Sequence, residues 1–507
     1  MHTIVTLNKP YDIPVTIPTN IDSQSRQFAI DLKHISTNTK LSVKGFVLQA
    51  DQGMVRYSLP IQGEWQFEIT AKWSELPIEE GTLTCESSSD TRYPTEVTPS
   101  KVRPIFTKNT RPYFISMYEC NWLFALWMSD EKKAKEFLLK LKKYRFNAIA
   151  MNVYAHECFW TDPKTPGRLV PPPVFNWGGS NDEPDFSVTN PAFYEQFDGL
   201  LNFMYELDIT AHLYLFVWNK CNAYPKAGSA EETKYISYLV RRYQAYPNIV
   251  WDYCKEAYLR IDKGHIRKML ELIRKEDSYK RLLTVHDDKL IQYDRSFDTL
   301  LDFYTMQVHH DIYTKTLREI EKNNKPVFTS EYTYESGKDI EDKTFQEAHS
   351  HKQNILASWE LAIAGSPVCY YYTFTAWDVI RPDDTPLGYA GFAFLSQFFD
   401  SFDWWNYTAV PENNTMIRTI IACAQHINEP KFLLITDKRG RFGVLVDSKE
   451  YIVEGEWIDI YNGERRAIQS TDLNHIYDSE ILIAVCPFAE KYGDMGHCVA
   501  NFTLKKL

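Results

Sequence analysis

The chain has 507 residues, 44% hydrophobic and 24% charged, a near-average globular composition that excludes disordered, collagen-like and coiled-coil proteins. Lys and Arg number 56 and Asp and Glu 67, which gives a net charge of −11. With no long basic run, this balance argues against nucleic acid or an anionic membrane as a partner.

Three further features bound the class of protein. The start at Met1 lacks a charged segment followed by an apolar one, so we expect no secretory signal and a cytoplasmic location. The longest apolar stretch, 361–377, is too short and broken to span a bilayer. The nine cysteines are scattered without a Cys-x-x-Cys pair, which signals neither a zinc ribbon nor a disulfide framework.

The first 105 residues predict a β-sandwich. Short segments of alternating polarity at 27–32, 41–48 and 64–69 read as half-buried strands, with turn residues between them and no convincing helix. This pattern is typical of a sandwich of two antiparallel sheets.

From residue 106 to residue 410, strand and helix patterns alternate. Ser129, Asn190-Pro191 and the capping box Ser229-x-x-Glu232 are predicted helix starts. The eight predicted strands are 113–118, 146–153, 209–217, 248–253, 281–285, 303–308, 326–330 and 368–372. Eight βα units in this length favour a (β/α)8 TIM barrel over an open doubly wound sheet. Residues 411–507 return to short strands, at 432–436, 442–446, 457–461, 480–485 and 499–504, and predict a small C-terminal β domain.

In such barrels the reactive groups lie at the carboxyl ends of the strands. Glu256 follows predicted strand 4 and Glu331 follows predicted strand 7, so the two side chains are expected to face each other across the barrel mouth. Two facing carboxyl groups about 5–5.5 Å apart are what double-displacement glycoside hydrolysis requires. The alternative for either glutamate alone is a solvated loop residue. Lys255 is either a charge partner of Glu256 or a surface residue pointing away, and strand alternation favours the second.

Other polar and aromatic residues near strand ends are candidates for sugar binding, each with a structural alternative. His309 is expected to contact the nucleophile or a sugar hydroxyl, or to bond only to the backbone. Trp377 is a candidate platform under the sugar, or core filler. The remaining candidates, for which a surface-loop position is equally open, are Glu119, Asn121, Trp122 and His156. A metal site built from His286, Asp287, Asp288, His309 and His310 is disfavoured because strand 1 carries no His-x-His, so we expect no metal and no cofactor.

Several of these segments resemble the apiosidase-like glycoside hydrolases. Residues 248–256, Asn-Ile-Val-Trp-Asp-Tyr-Cys-Lys-Glu, resemble that family's strand-4 motif, and residues 326–332 with Glu335 resemble its strand-7 nucleophile segment. Residues 111–114 and 358–365 are similar to its first strand and its Trp-rich helix, and Gly63-Glu64-Trp65 is similar to the immunoglobulin-like module that precedes such barrels. The resemblance extends from about residue 20 to about residue 405.

This resemblance implies roles for the two glutamates: Glu256 as acid/base and Glu331 as nucleophile, with Glu335 beside the substrate. Lys255 stands where the family has an Asn that contacts the sugar 2-hydroxyl, and Cys254 stands in place of a Gly. That departure implies an acidic or unusual sugar, or weakened turnover. The preferred hypothesis is a retaining, exo-acting glycosidase that removes a terminal β-linked sugar from plant or microbial oligosaccharides. The alternative is a carbohydrate-binding barrel with weakened or lost hydrolysis.

Overall fold

A computed structural model describes the chain from residue 2 to residue 507. The description leaves out residues 23–24, 154–173, 218–221, 258–261, 288–296, 298, 337–347, 376–379, 412–415, 419, 448, 470–472, 477–480 and 488. Within the described part, no helix is both long and apolar enough to pass through a bilayer.

Two sheets form the N-terminal region. One has five strands in the order His2–Thr6, Glu79–Glu86, Gly63–Ala71, Phe28–His34 and Lys40–Lys44; the other has three, in the order Tyr11–Thr16, Gln52–Tyr57 and Phe46–Gln49. Both contribute side chains to one apolar core, including Val15 and Trp65, so the region is the β-sandwich expected from the alternation.

The single strand predicted over residues 41–48 is in fact two strands that belong to opposite sheets. The chain crosses between the sheets at Gly45, which lies against the ring of Phe28. A Cβ at this position would come within 2.1 Å of that ring, so only glycine allows so close an approach. A short antiparallel sheet, with strands Thr95–Thr98, Ile105–Lys108 and Arg111–Pro112, then leads into the barrel.

Parallel strands form the predicted (β/α)8 barrel. Barrel strands 1 to 4 are Ser116–Glu119, Ala148–Asn152, Thr210–Val217 and Ile249–Lys255. Barrel strand 5 has two pieces, Leu283–Thr284 and His286–Asp287, and strands 6 to 8 are Tyr304–Gln307, Val327–Glu331 and Val368–Tyr372. Strand 1 pairs in parallel with strand 8, and a short strand after strand 7, Tyr334–Glu335, also pairs with strand 8. The carboxyl ends of the strands therefore surround one mouth.

In the part of the barrel that the structure describes, eight helices accompany these strands: α1 (Leu123–Ser129), α2 (Glu131–Lys143), α3 (Pro191–Glu206), α4 (Ala230–Tyr243), α5 (Lys263–Glu276), α6 (Ile312–Lys322), α7 (His351–Ala364) and α8 (Gly388–Ser401). Asn190 caps α3 as predicted, with its side chain accepting from the backbone N–H of Ala192. The predicted start at Ser129 is wrong, because Ser129 ends α1 and the carboxylate of Asp130 caps α2. Ser229 caps α4, but the Glu232 side chain accepts from the N–H of Gly228, so the capping box is not reciprocal.

Two antiparallel sheets make up the predicted C-terminal β domain. The larger has strands Tyr407–Ala409, Ile420–His426, Lys431–Thr436, Val499–Lys506, Tyr451–Ile458 and Arg465–Ala467; the smaller has Ile417–Arg418, Arg441–Leu445, Ile481–Val485 and Leu473–Ile476. Phe442, Trp457 and Phe502 lie in their shared core.

Two short strand pairs lie outside these sheets. Trp177–Gly179 pairs with Pro184–Thr189, and Ala348–His349 pairs with Tyr334–Glu335. The domain limits at 105/106 and 410/411 stay predictions.

Candidate active site

Glu256 and Glu331 meet at the carboxyl ends of barrel strands 4 and 7. Nε2 of Gln307 donates to Oε1 of Glu256 and to Oε2 of Glu331, each at 2.9 Å. Since both oxygens are 2.9 Å from the same nitrogen atom, they are at most 5.8 Å (twice 2.9 Å) apart. Glu331 is the last residue of its strand, whereas Glu256 lies one residue beyond strand 4 in the left-handed backbone region, with φ +54°.

Gln307 reaches both glutamates because of an irregularity at the end of strand 6. The pairing of strands 6 and 7 shifts between Met306 and Gln307, so that Gln307 lies opposite Glu331. Val308 N–H then donates to the carbonyl of Glu331 at 2.9 Å. A bulge of this kind re-aims a side chain at the end of a strand, here toward the barrel mouth.

Glu331 is 5% exposed and is surrounded by hydrogen-bond donors and the Lys255 cation. Its Oε2 is 3.3 Å from Nζ of Lys255 and 3.4 Å from the donating hydroxyl of Tyr371, and its Oε1 accepts from the hydroxyl of Tyr334. Burial raises the pKa of Glu331, but Lys255 and the other surrounding groups outweigh burial and lower the pKa well below its usual range. This carboxyl is therefore held ionised at neutral pH.

Lys255 is not the surface residue that strand alternation favoured. It is 4% exposed and belongs to barrel strand 4, so its side chain enters the barrel interior. Its ammonium donates to Oε1 of Glu119 and lies beside Glu331, so its ion-pair partners are these two carboxylates and not Glu256. Burial lowers the pKa of Lys255, but the nearby carboxylates outweigh it and raise the pKa. Alternation places adjacent residues of a strand on opposite faces. It does not apply to this pair, because Lys255 is the last residue of strand 4 and Glu256 lies beyond it.

Glu119 is the last residue of barrel strand 1 and is fully buried, which excludes the surface-loop alternative. Its Oε2 accepts from the hydroxyl of Tyr214 at 3.4 Å, while Oε1 is bound to Lys255. Burial raises the pKa of Glu119, and the lysine offsets only part of that effect. Glu119 is thus a partner of Lys255 in the barrel interior.

A buried histidine, His286, also borders Glu331. Nε2 of His286 is 3.7 Å from Oε2 of Glu331, and its backbone N–H donates to Asp252 at 3.1 Å. Burial lowers the pKa of His286 to about 3, so the ring is neutral. Among the described residues, no group of three or more His, Cys, Asp or Glu side chains is arranged to hold a metal ion.

The other predicted site residues occupy varied positions. Nδ1 of His309 donates to the carbonyl of Tyr332 at 2.7 Å, which matches the backbone-bonded alternative. Glu335 is buried, accepts from Tyr370 and from the N–H of Gly388, and borders a cavity of about 260 Å³ that Arg381 also lines.

Four other candidates divide into two that are buried and two that lie outside the described residues. Asn121 and Trp122 are buried at the start of α1, which excludes an exposed loop position for them. Trp377 and His156 fall outside the described residues, and so does Asp288 of the metal alternative. The sugar-binding roles of all these residues stay predictions.

Gln307, Tyr334 and Tyr371 were missed by the sequence reasoning. Gln307 lies inside predicted strand 6, which extends one residue beyond the end of the observed strand. A long polar side chain next to the end of the predicted strand was the available signal, since strand ends carry the chemistry in this fold. The two tyrosines lie within strand-forming segments, where an aromatic residue signals only a favourable strand.

Comparisons with known proteins identify the family of the chain. A family model described as "Apiosidase-like, catalytic domain" matches residues 100–416. No curated protein sequence matches the chain.

Solved structures share the fold. A protein from Bacteroides vulgatus ATCC 8482 with a provisional glycoside hydrolase assignment is similar over 100% of both chains, with a TM-score of 0.80 and 14% identity. A glycoside hydrolase family 5 protein from the same strain covers 80% of this chain and 92% of its own, with a TM-score of 0.57 and 14% identity. A further structure described as a glycoside hydrolase covers 82% and 97%, with a TM-score of 0.60 and 14% identity. At such low identities the likeness concerns the fold alone.

Proposed function

We propose that this chain, which belongs to the apiosidase-like family and is a glycosidase, removes a terminal β-linked sugar by double displacement. The observation that carries the proposal is the hydrogen bonding of Glu256 and Glu331 to one nitrogen atom, which keeps the facing oxygens within 5.8 Å. A retaining mechanism needs carboxyl groups about 5–5.5 Å apart, whereas an inverting one needs about 6.5–9.5 Å for a water between them.

The surroundings of the two glutamates support different roles. Glu331 is buried beside the Lys255 cation, so it stays ionised and suits the nucleophile. Glu256 is half-buried and lies beyond the strand end, so it is more exposed than Glu331 and suits the acid/base, which exchanges protons with the leaving group and water. Its Oε1 accepts a hydrogen bond from Gln307.

The reaction then has two steps. In the first, an oxygen of Glu331 forms a bond to the anomeric carbon, and the leaving oxygen takes the bonding electron pair together with the proton of Glu256. In the second, Glu256 accepts a proton from water, the water oxygen bonds to the anomeric carbon, and Glu331 is released as a carboxylate. Both steps invert the anomeric centre, so the configuration is retained overall.

Exo action on a terminal sugar rests on membership of the apiosidase-like family. A carbohydrate-binding barrel without turnover is less favoured, because the paired carboxyl groups that hydrolysis needs are present, with facing oxygens at most 5.8 Å apart. A buried Lys255 that is occupied by two carboxylates also gives no support to recognition of an acidic sugar by that lysine.

The test begins with a panel of nitrophenyl glycosides that includes apiosides. For the glycoside cleaved fastest, proton NMR of the first product identifies the anomer, and a matching 2-deoxy-2-fluoro glycoside is expected to label the peptide that contains Glu331. We expect Glu331→Gln to abolish turnover and Glu256→Ala to be rescued by azide. Exposed Glu195→Gln is the matched control. An inverted first product, or full activity in Glu331→Gln, would overturn the proposal.

A further inference from the structure

We infer that Glu119 and Lys255 are a positioning pair for the nucleophile. Lys255 holds Glu331 as a carboxylate, and Glu119 keeps the lysine charge neutralised when Glu331 loses its own charge in the glycosyl-enzyme. This inference rests on the proposed function, because it takes Glu331 as the nucleophile.

Three charged side chains from three different strands converge in the barrel interior. Lys255 from strand 4 donates to Oε1 of Glu119 from strand 1, and the same ammonium is 3.3 Å from Oε2 of Glu331 from strand 7. Their exposed fractions are 4%, 0% and 5%, so bulk water and salt screen these charges very little. One cation is therefore shared between two carboxylates.

The lysine is almost fully buried and lies beside two aromatic rings. Its Nζ lies 5.7 Å from the ring centre of Tyr214 and 5.3 Å from that of Tyr371. The hydroxyl of Tyr214 donates to Oε2 of Glu119, so both oxygens of this carboxylate have donors. With 4% exposure, Lys255 acts on the reaction through Glu331 and not by contact with substrate.

Other titratable groups face Glu331 from the neighbouring elements. Those whose charge or hydrogen bond bears on it directly are Lys255, His286, His309, Tyr334, Tyr371 and Glu119. Glu256 faces it across Gln307. Because His286 is neutral, Lys255 is the buried permanent cation of this group, and its removal changes the charge around Glu331 most.

The need for Glu119 follows from the charge balance of the first chemical step. Before attack, Lys255 faces two carboxylates. When Glu331 bonds to the anomeric carbon, its oxygen becomes part of a neutral ester, while Glu256 transfers its proton to the leaving oxygen. Lys255 and Glu119 exchange no proton. Without Glu119, an unpaired buried cation would then face a sugar ring that itself becomes positive in the transition state, which raises the barrier.

The experiment measures kcat/KM against pH for Lys255→Met, Glu119→Gln and the double variant, on the aryl glycoside that the unmodified protein cleaves fastest. The fall of kcat/KM on the acidic side of the pH profile, here called the acidic limb, reports ionisation of the nucleophile in the free enzyme. Without the cation the Glu331 carboxyl is easier to protonate, so Lys255→Met is expected to move that limb upward by about one to three pH units. Glu119→Gln is expected to leave the limb at or below its original position and to lower kcat/KM about tenfold to a hundredfold.

The double variant keeps the test decisive if a single variant folds poorly. It removes both charges together, so we expect it to fold and to exceed Glu119→Gln in kcat/KM. Lys108→Met, which removes a mostly buried lysine paired with Asp208, is the matched control and is expected to leave the pH profile unchanged.

The outcomes separate the two proposals. If Glu331→Gln is inactive but neither Lys255→Met nor the double variant moves the acidic limb, the positioning pair is wrong and the proposed function stands. If Glu331→Gln keeps its activity, the proposed function itself fails.

Discussion

Glu256 and Glu331 share a single hydrogen-bond donor, the Nε2 atom of Gln307, at 2.9 Å from each. An amide nitrogen carries two hydrogens and can serve two acceptors at once. The bond to Glu331 favours its ionised form, and the bond to Glu256 holds the Oε1 atom of that side chain toward Glu331. Gln307 thus orients both partners of the proposed reaction and sets their separation.

Gln307→Met keeps the length of this side chain and removes both hydrogen bonds. We expect kcat/KM to fall about a hundredfold, because misplacing a reacting group by about 1 Å costs that much. Steady-state kinetics on the best aryl glycoside measure the effect. Gln397→Met on the exposed face of α8 is the control and should stay within about twofold of the unmodified protein. Equal activity in both variants would show that Gln307 positions nothing.

The two tyrosines around Glu331 are predicted to differ in effect. Tyr334 donates to Oε1 in a close hydrogen bond, whereas the Tyr371 hydroxyl is 3.4 Å from Oε2. Tyr334→Phe removes a donor that stabilises the carboxylate, so the pKa of Glu331 rises and the acidic limb of kcat/KM moves to higher pH. Tyr371→Phe should move it less. A larger shift in Tyr371→Phe would contradict this ranking, and pH–rate profiles of both variants decide it.

The fold could be predicted largely from local sequence patterns. Eight apolar runs separated by helical periodicity specify a barrel, because parallel strands buried on both faces need no alternation. Asn190 and Ser229 cap their helices as predicted, since capping depends on neighbouring residues alone. Ser129 was wrong because Asp130, one residue later, offers a competing cap, and segment 41–48 was divided because Gly45 meets Phe28, a contact that sequence does not reveal.

Only part of the candidate site could be predicted from the sequence, for a geometric reason. Strand ends pointed to Glu256 and Glu331, but the positions of Lys255 and Gln307 depend on where each strand stops, to within one residue. A shift of one residue sends a side chain to the opposite face. The left-handed backbone at Glu256 and the bulge at Gln307 are such local shifts, and short-range periodicity does not encode them.

His286 gives a prediction about acid stability. Burial lowers its pKa to about 3 from 6.5, so between these pH values the unfolded chain binds a proton that the folded one does not. The free energy of unfolding therefore falls as the pH falls through this window, by about 1.4 kcal/mol per pH unit from this residue. His286→Gln removes the contribution.

Urea unfolding of both proteins at pH 6, 5 and 4 measures the difference. As the pH falls, the free energy of unfolding of His286→Gln should rise relative to that of the unmodified protein by about 1.4 kcal/mol per pH unit. This relative change does not depend on the stability of the variant at pH 6. Parallel pH dependences would contradict a neutral, buried His286. Histidine side-chain NMR provides a second readout, in which His286 stays neutral at pH 5.

Arg56 joins the N-terminal sandwich to the barrel. It belongs to the strand Gln52–Tyr57, and its guanidinium donates to Asp12 within the sandwich at 2.7 Å and to Asp198 of α3 at 2.9 Å. Arg242 of α4 donates to the same Asp198 at 2.7 Å, so one carboxylate binds two arginines. Burial raises the pKa of Asp198, but the arginines outweigh it and lower the pKa, which means that the carboxylate stays charged inside the junction.

Arg56→Met should therefore destabilise the protein far more than loss of a surface pair. The substitution leaves Asp12 without this partner and part of the charge of Asp198 uncompensated. We therefore expect the free energy of unfolding to fall by about 3 kcal/mol. Arg145→Met, which removes a half-exposed pair with Asp400, is the control and should cost at most about 1 kcal/mol. Thermal unfolding followed by circular dichroism measures both. Because Arg56 lies at α3 and α4 and not at the strand ends that carry Glu256 and Glu331, kcat/KM of the folded variant should be unchanged. Equal melting temperatures for the two variants would contradict the prediction that the buried ion pairs of Arg56 stabilise the protein.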